Sequence, residues 1–145
     1  MAGVTQACPC GSGKRYRACC QLLHRGGAAD SPEALMRSRF SAFAVGRAKY
    51  LVNSTAELGP MWQPDTDAWE RQLRAQCEGA RFTALRVLAA PPPPIGGPGF
   101  VRFEADVVED GAQHTIAELS RFTLQRGAWV YHGRATPEEE AALGR

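Results

Sequence analysis

Four cysteines near the start of the sequence have the spacing of a metal site. Cys8 and Cys10 are separated by eight residues from Cys19 and Cys20. Four thiolates complete the tetrahedral coordination of Zn2+, and the glycines between the two pairs allow the positive φ angles that a tight loop around an ion requires. Because four protein ligands leave no position for a substrate, we expect a structural zinc ion that supplies most of this segment's folding free energy.

Other interpretations of this segment stay open at the level of sequence. His24, four residues after Cys20, could replace one thiolate as a ligand, and paired cysteines could instead serve in redox exchange. The Gly-Ser-Gly-Lys run at 11–14 resembles part of a phosphate-binding loop. That motif needs glycine at position 8 and Ser or Thr at position 15, where this sequence has Cys8 and Arg15.

The cysteine pairs enclose a basic loop, whose members are Lys14, Arg15, Tyr16 and Arg17. Four basic and no acidic side chains precede Asp30, although the net charge of the whole chain is only +2. This asymmetry predicts an acidic partner for the loop, a protein or the ribosome, and less strongly a nucleic acid. The charges could also merely offset a tetrathiolate zinc site of about −2.

The remaining composition is typical of a small globular protein. The chain has 145 residues, 44% of them hydrophobic, which is enough for one compact domain and a small appendage. No apolar run approaches the roughly 18–20 residues that span a bilayer, and the first residues lack the pattern of a secretory signal. We therefore expect a cytoplasmic protein with reduced thiols and no membrane span.

The predicted secondary structure is helical in the first half of the chain and consists of strands in the second half. Ser31 caps a helix, and Gly46 separates it from a second helix that extends to about residue 54. Asp65 or Asp67 caps a third helix. Alternating hydrophobic residues then predict four strands, near 81–90, 101–107, 113–126 and 129–131. Helices followed by an antiparallel meander indicate an α+β fold with helices on one face of a curved sheet.

Residues 8–20, CPCGSGKRYRACC, resemble a SEC-C motif, the small zinc module of the preprotein-translocase motor and of many other bacterial proteins. The following chain is similar to the YchJ-like (UPF0225) family. That similarity is carried by LMRSRFSAF (35–43), YL (50–51), ELSRF (118–122) and WVY (129–131). The resemblance implies an NTF2-like cone, with N-terminal helices packed on a curved antiparallel sheet. It also implies that SEC-C modules contact partners such as proteins, ribosomes or membranes.

On this basis we divide the chain into a SEC-C zinc knuckle (1–25), an NTF2-like α+β domain (31–136) and a C-terminal tail (137–145). Relatives often carry a second SEC-C module at the C-terminus, whereas this sequence ends in EEEAALGR, so we do not expect a function that needs two zinc modules. The leading hypothesis is a non-enzymatic adaptor whose knuckle docks on a protein or ribosomal partner. The alternative is an enzyme (a lyase, isomerase or hydrolase) or a small-ligand binder that uses the cone.

Polar residues on two apolar faces are candidates for the cavity of such a cone. Arg39 shares a helical stripe with Phe40, and Glu118 and Ser120 share a strand face with Phe122. Because an isolated buried charge is costly, we predict that Arg39 and Glu118 form an ion pair inside the domain. The pair could be structural, or Glu118 could act as an acid or base while Arg39 binds an anion.

Two histidines complete the cavity candidates, which are Arg39, Glu118, Ser120, His114 and His132. Each histidine could instead be a solvated side chain at the end of a strand. Arg37 and Arg121 fall on the faces opposite Arg39 and Glu118, so we expect them at the surface.

Overall fold

The chain begins with helices and ends with an antiparallel sheet, and the computed structural model describes residues 6–143. The helices are α1 (Cys20–His24), α2 (Pro32–Val45), α3 (Ala48–Asn53), α4 (Thr66–Gly79) and α5 (Pro137–Leu143). The strands are β1 (Ala80–Ala89), β2 (Gly99–Glu109), β3 (Ala112–Gln125) and β4 (Ala128–Arg134). A 3-10 turn, Tyr16–Ala18, precedes α1. The predicted α+β order is confirmed.

The predicted helix boundaries follow from local capping. Ser31 Oγ accepts a hydrogen bond of 3.1 Å from the N–H of Ala34, which caps α2. Gly46 ends α2 with a φ of +82°, so the chain turns before α3 begins. Asp65, the first of the two aspartates considered, caps α4 by accepting from the N–H of Ala68 at 3.1 Å.

The sheet is a simple meander with strand order β1-β2-β3-β4 and antiparallel pairing throughout. Two-residue turns connect β2 to β3 and β3 to β4. Asp110 and Gly111 have φ of 51° and 78°, and Arg126 and Gly127 have φ of 51° and 79°. Two consecutive positive φ angles produce the turn whose twist matches that of an antiparallel hairpin.

Irregularities in the strands bend this sheet around the helices. The pairing of β1 with β2 shifts at Thr83, the extra residue between Phe82 and Ala84, and the pairing of β3 with β4 shifts at His132, the extra residue of β4. Each shift inserts an extra residue and increases the local bend. At the far edge, Tyr131 N–H donates to the Ser54 carbonyl at 2.8 Å, so the segment after α3 continues the sheet.

The core lies between α2 and the concave face of the sheet. Inward residues of β2 alternate with half-buried polar ones, as the sequence pattern predicted, and the buried set is Val101, Phe103, Ala105 and Val107. Leu35, Met36 and Phe40 of α2 belong to the same buried cluster as Val101 and Phe103. The members of this cluster are apolar, so hydrophobic burial holds α2 on the sheet.

Helix α5, in the predicted tail, lies on the opposite face of the sheet. Glu140 pairs with Arg102 of β2 at 2.9 Å, and Glu139 pairs with Arg121 of β3. Arg121, expected at the surface, is only 30% exposed because it anchors α5. The concave face is left to α2, α3 and α4. Within residues 6–143, no helix has both the length and the hydropathy needed to cross a bilayer.

Candidate functional site

The cysteine segment folds as a small hairpin followed by helical turns. The N–H of Cys8 donates to the Lys14 carbonyl at 2.8 Å, which closes the hairpin. Gly11 and Gly13 form its turn with φ of +82° and +85°, a region that glycine adopts without a steric penalty. The hairpin thereby places the first cysteine pair beside the start of α1, where the second pair lies.

The structure brings together the four cysteines named from the sequence. The Sγ atoms of Cys8, Cys10, Cys19 and Cys20 all lie within 4.8 Å of one another. The Cys10 and Cys19 sulfurs are 3.7 Å apart, and two sulfurs bound to a tetrahedral zinc ion at about 2.3 Å would be about 3.8 Å apart. Three of the four cysteines are buried, and Cys19 is half-buried. This donor set fits a single tetrahedral metal ion.

The electrostatics of the cluster favour a cation at its centre. Hydrogen bonds from Cys10 and then Cys20 lower the pKa of the Cys8 thiol. The hydrogen bonds that Cys20 makes to Cys10 and Cys8, followed by burial, raise the pKa of Cys20. Without a cation, some of the four thiols therefore keep their protons, because only neighbouring thiols stabilise the thiolate charge. A divalent cation would replace those protons and allow all four sulfurs to be thiolates.

Two serine hydroxyls support the sulfurs from outside the cluster. Ser12 Oγ lies 3.2 Å from the Cys19 sulfur, and Ser41 Oγ of α2 lies 3.4 Å from the Cys8 sulfur. Each hydroxyl can donate a hydrogen bond to a thiolate and so spread its charge. Ser41 is fully buried, so this contact also ties the metal centre to α2.

A second set of contacts fixes the knuckle on α2 through His24. The Nε2–H of His24 donates to the Ser38 carbonyl at 2.8 Å, because a carbonyl can only accept. The Nδ1 atom then accepts from the Tyr16 hydroxyl at 2.7 Å. Burial lowers the pKa of His24, which keeps the ring neutral and suits this arrangement. The ring also packs on Tyr50, with centroids 4.7 Å apart.

These contacts correct two interpretations of the sequence. The alternative in which His24 binds the metal is wrong, since both of its ring nitrogens have other partners. Tyr16, predicted to contact a partner, is only 4% exposed and its hydroxyl binds His24. It is a core residue of the knuckle, because the 3-10 turn aims the ring inward while its basic neighbours project into solvent.

Arg37 is a functional residue that sequence reasoning placed at the surface. Its Nη1 donates to the Cys10 carbonyl at 2.7 Å, and its Nε pairs with Glu33 one helical turn earlier at 3.0 Å. The side chain is 26% exposed. Arg37 thus holds the backbone of one cysteine of the cluster against α2. Only its position one turn before Ser41, on the same side of the helix, could have indicated this role.

The basic side chains of the loop are exposed. Lys14, Arg15 and Arg17 all point into solvent, and none forms an ion pair with any residue between 6 and 143. The nearby Arg25 is also exposed and unpaired within that range. The knuckle therefore displays a cationic surface that the described part of the chain does not neutralise.

A cavity of about 390 Å³ opens on the concave face of the sheet, between α2 and α4. Arg39, Glu118 and Ser120, three of the predicted cavity residues, line it. Its apolar wall is formed by Met36, Phe40, Phe43, Met61, Trp69, Phe82 and Phe103. Sequence periodicity therefore identified the face correctly for these three polar residues.

The predicted ion pair between Arg39 and Glu118 is wrong, because Tyr131 lies between the two side chains. The Arg39 guanidinium lies 4.6 Å from the centroid of the Tyr131 ring, and the Tyr131 hydroxyl donates to Glu118 at 3.0 Å. Burial, followed by the charge of Glu118, raises the pKa of Tyr131 to about 12, so the hydroxyl keeps its proton. Glu118 also accepts a hydrogen bond from the Ser120 hydroxyl.

The two histidine candidates are not part of the cavity. His114 is on the same face of β3 as Glu118, but it is exposed and does not line the cavity, and its Nε2 is 3.7 Å from Glu109. His132 is the extra residue of β4 at the register shift, and it is not among the residues that line the cavity. Burial lowers its pKa, and Arg121 and Glu139 are its charged neighbours.

Comparison with known proteins defines the class to which this fold and site belong. Residues 5–22 match the SEC-C motif, and residues 31–133 match the middle NTF2-like domain of YchJ. A solution structure of a SEC-C motif containing protein from Rhodopseudomonas palustris is 38% identical, with a TM-score of 0.72 over 89% of this chain and 98% of that one. The crystal structure of a SEC-C motif containing protein from Psychrobacter arcticus has the same fold, with a TM-score of 0.73 and 24% identity. The match covers 92% of this chain and 85% of that one.

The chain belongs to the UPF0225, or YchJ-like, family. A UPF0225 protein of Deinococcus radiodurans is 40% identical over 133 residues, which are 86% of this chain and 85% of the relative. One from Vibrio parahaemolyticus is 35% identical over 140 residues, or 95% and 80% of the two chains. The predicted SEC-C motif, NTF2-like domain and family are thus confirmed.

Proposed function

We propose that this protein binds one zinc ion through Cys8, Cys10, Cys19 and Cys20, and that the ion fixes a cationic loop which docks on an acidic protein or ribosomal partner. The observation that carries the proposal is the unpaired, exposed set of Lys14, Arg15 and Arg17 between the two halves of a four-sulfur site. The protein then acts as an adaptor, with chemistry confined to recognition.

Zinc is the metal that suits this donor set best. Four sulfurs in a tetrahedral arrangement select zinc or an iron–sulfur cluster. The 3.7 Å between the Cys10 and Cys19 sulfurs leaves room for one ion and not for a cluster. With four protein ligands, the ion has no open position for a substrate, so its contribution is structural. Free cysteines throughout residues 6–143 also agree with a reducing, cytoplasmic location.

The metal would determine the shape of the docking loop because the knuckle has almost no apolar core of its own. Its buried cluster consists of Cys8, Cys10, Tyr16 and Cys20. Three of these four residues are ligands, so removing the ion removes most of what holds the loop. The hydrogen bonds from Arg37 and His24 then keep the ordered loop at a fixed place on α2.

Charge and exposure favour a protein surface over a nucleic acid. Single-stranded nucleic acids are bound by basic grooves that also offer aromatic rings for stacking. The one aromatic ring of this loop, Tyr16, is buried. A cluster of three or four cations without a stacking platform suits an acidic protein patch, where charge complementarity directs docking.

The test compares two triple charge reversals of the full, zinc-loaded chain. The first changes the loop (K14E, R15E, R17E), and the matched control changes three other exposed basic residues (K49E, R71E, R81E). Both lower the net charge equally, and both leave the metal ligands intact. Each is used as bait in a bacterial lysate and in cosedimentation with purified ribosomes, with and without ribonuclease.

We expect the loop variant to lose at least about tenfold of partner recovery, as the loss of a few interfacial charge contacts would produce, while the control matches the wild type. Equal recovery by both variants would contradict docking through the loop. If ribonuclease abolished recovery, the partner would be an RNA and not a protein. The zinc content of both variants is measured as a control. If it is intact, a loss of recovery is due to the lost contacts and not to misfolding.

A further inference from the structure

The cavity on the concave face has the size and walls of a binding site for a small organic molecule. Its volume is about 390 Å³, and its lining combines phenylalanine, tryptophan and methionine side chains with polar ones, among them the exposed Gln63, Gln72 and Gln76. At the packing density of protein interiors, about 0.75, this space holds about 290 Å³ of atoms, or roughly 15 non-hydrogen atoms. Ligand sites combine such apolar walls with a few polar groups that fix orientation.

Arg39 is a charged group of this cavity whose hydrogen-bond donors are only partly used. Its Nη1 donates to three uncharged oxygens: the Leu51 carbonyl at 3.0 Å, the Ser54 hydroxyl at 2.7 Å and the Thr55 hydroxyl at 3.2 Å. Its Nε and Nη2 have no hydrogen-bond partner among residues 6–143. Neither is sealed from solvent, because within that range only Arg121 Nε is both enclosed and unpartnered.

The free Nε–Nη2 edge has the geometry that carboxylates prefer. These two nitrogens present parallel N–H groups that can bind both oxygens of one carboxylate. The opposite side of the guanidinium is held by α3 and by the face of Tyr131. Arg39 is therefore oriented before any ligand arrives, which lowers the entropic cost of binding.

The charge of Glu118 acts on Arg39 only at a distance, since the two side chains form no hydrogen bond or ion pair. Glu118 accepts hydrogen bonds from Ser120 and Tyr131, and it pairs with Arg134 at 3.5 Å. Three partners thus compensate this carboxylate, whereas no carboxylate pairs with Arg39 in the described part of the chain. The cavity therefore holds a half-buried cation without a directly bound counterion, which favours an anionic ligand.

We propose that this cavity binds a small organic monocarboxylate, whose carboxylate takes the free edge of Arg39 and whose apolar body packs on Phe40, Phe82 and Phe103. The cavity size sets an upper limit of roughly 15 non-hydrogen atoms. The site is separate from the zinc knuckle, so a failure here leaves the docking proposal untouched.

The test uses 2-naphthoate and decanoate, with 2-naphthamide as the uncharged match of the first. Binding is measured on the zinc-loaded full chain by calorimetry and by 13C-methyl methionine NMR, since Met36 and Met61 both line the cavity. We expect 2-naphthoate to bind at least about tenfold more tightly than 2-naphthamide, because a charge-assisted pair is lost with the amide. Both methionine signals should shift.

Two Arg→Lys variants distinguish the effect of the two parallel N–H donors of Arg39 from the effect of its positive charge. Arg39→Lys keeps the positive charge but not the two parallel donors, and should weaken 2-naphthoate binding about tenfold. Arg71→Lys makes the same change on an exposed part of α4 and should have no effect. Equal affinity for the acid and the amide, unshifted Met36 and Met61 signals, or no binding by either acid would overturn the proposal. If Arg39→Lys does not fold, the comparison of 2-naphthoate with 2-naphthamide on the wild-type protein still tests the proposal.

Discussion

Replacement of Arg37 by methionine tests whether α2 supports the metal centre. The change keeps an unbranched side chain on α2 but removes the 2.7 Å hydrogen bond to the Cys10 carbonyl and the 3.0 Å pair with Glu33. A hydrogen bond from a charged donor contributes about 1.5–3 kcal/mol, and the lower value applies because the side chain is partly exposed. The ion pair within the helix adds about 0.3–0.5 kcal/mol.

We therefore expect Arg37→Met to lower the unfolding free energy by about 2 kcal/mol. Since groups that position metal ligands typically change metal affinity by 10–100-fold, zinc binding should weaken about tenfold. Chemical denaturation measures the first quantity, and competition with a chelator measures the second. Glu33→Gln removes the ion pair alone and should leave zinc affinity unchanged.

Arg74→Met is the matched control, because Arg74 forms the same kind of pair with Glu70 one turn earlier on α4, at 2.8 Å. This pair has no contact with the metal centre, so its loss should cost about 0.3–0.5 kcal/mol and no zinc affinity. If Arg37→Met and Arg74→Met behaved alike in both assays, the Cys10 contact would have no energetic role and the account of the knuckle would be wrong.

Three further predictions concern the metal, a buried histidine and the core. Replacing Cys19 and Cys20 by serine should remove one zinc per chain in native mass spectrometry and abolish amide protection in the knuckle; retained protection would argue against a structural ion. Because burial lowers the pKa of His24 below its usual 6.5, its contribution to stability is complete above about pH 6.5 and falls as the pH drops through the folded-state pKa. An NMR titration should give a His24 midpoint below 6.5, and a midpoint at or above 6.5 would refute this environment. Phe122→Ala should cost about 3–5 kcal/mol in chemical denaturation because Phe122 is fully buried, whereas Leu88→Ala, at a position 54% exposed, should cost far less; equal losses would contradict the assigned core.

Much of the fold follows from signals that act within a few residues. The alternation along β2 and the turn at Asp110 and Gly111 depend on local backbone geometry, so both could be predicted. The same holds for the cap at Ser31 and the break at Gly46. The cysteine cluster was predictable because its spacing already contains a complete ligand set.

The environment of the site depends on contacts between distant segments, which spacing does not encode. Arg37 and Cys10 are 27 residues apart, and nothing local to either residue indicates their hydrogen bond. The error over Arg39 and Glu118 has a similar cause. Periodicity gave both faces correctly, but the side chain between them, Tyr131, comes from a third element.

The most direct test of the metal assignment is X-ray absorption at the zinc edge of protein purified without added metal. We expect four sulfur neighbours at about 2.3 Å and no nitrogen or oxygen neighbour, as the cluster of Cys8, Cys10, Cys19 and Cys20 requires. A nitrogen or oxygen neighbour at about 2.0–2.1 Å would contradict a closed four-cysteine site, as would a protein that contains another metal in place of zinc.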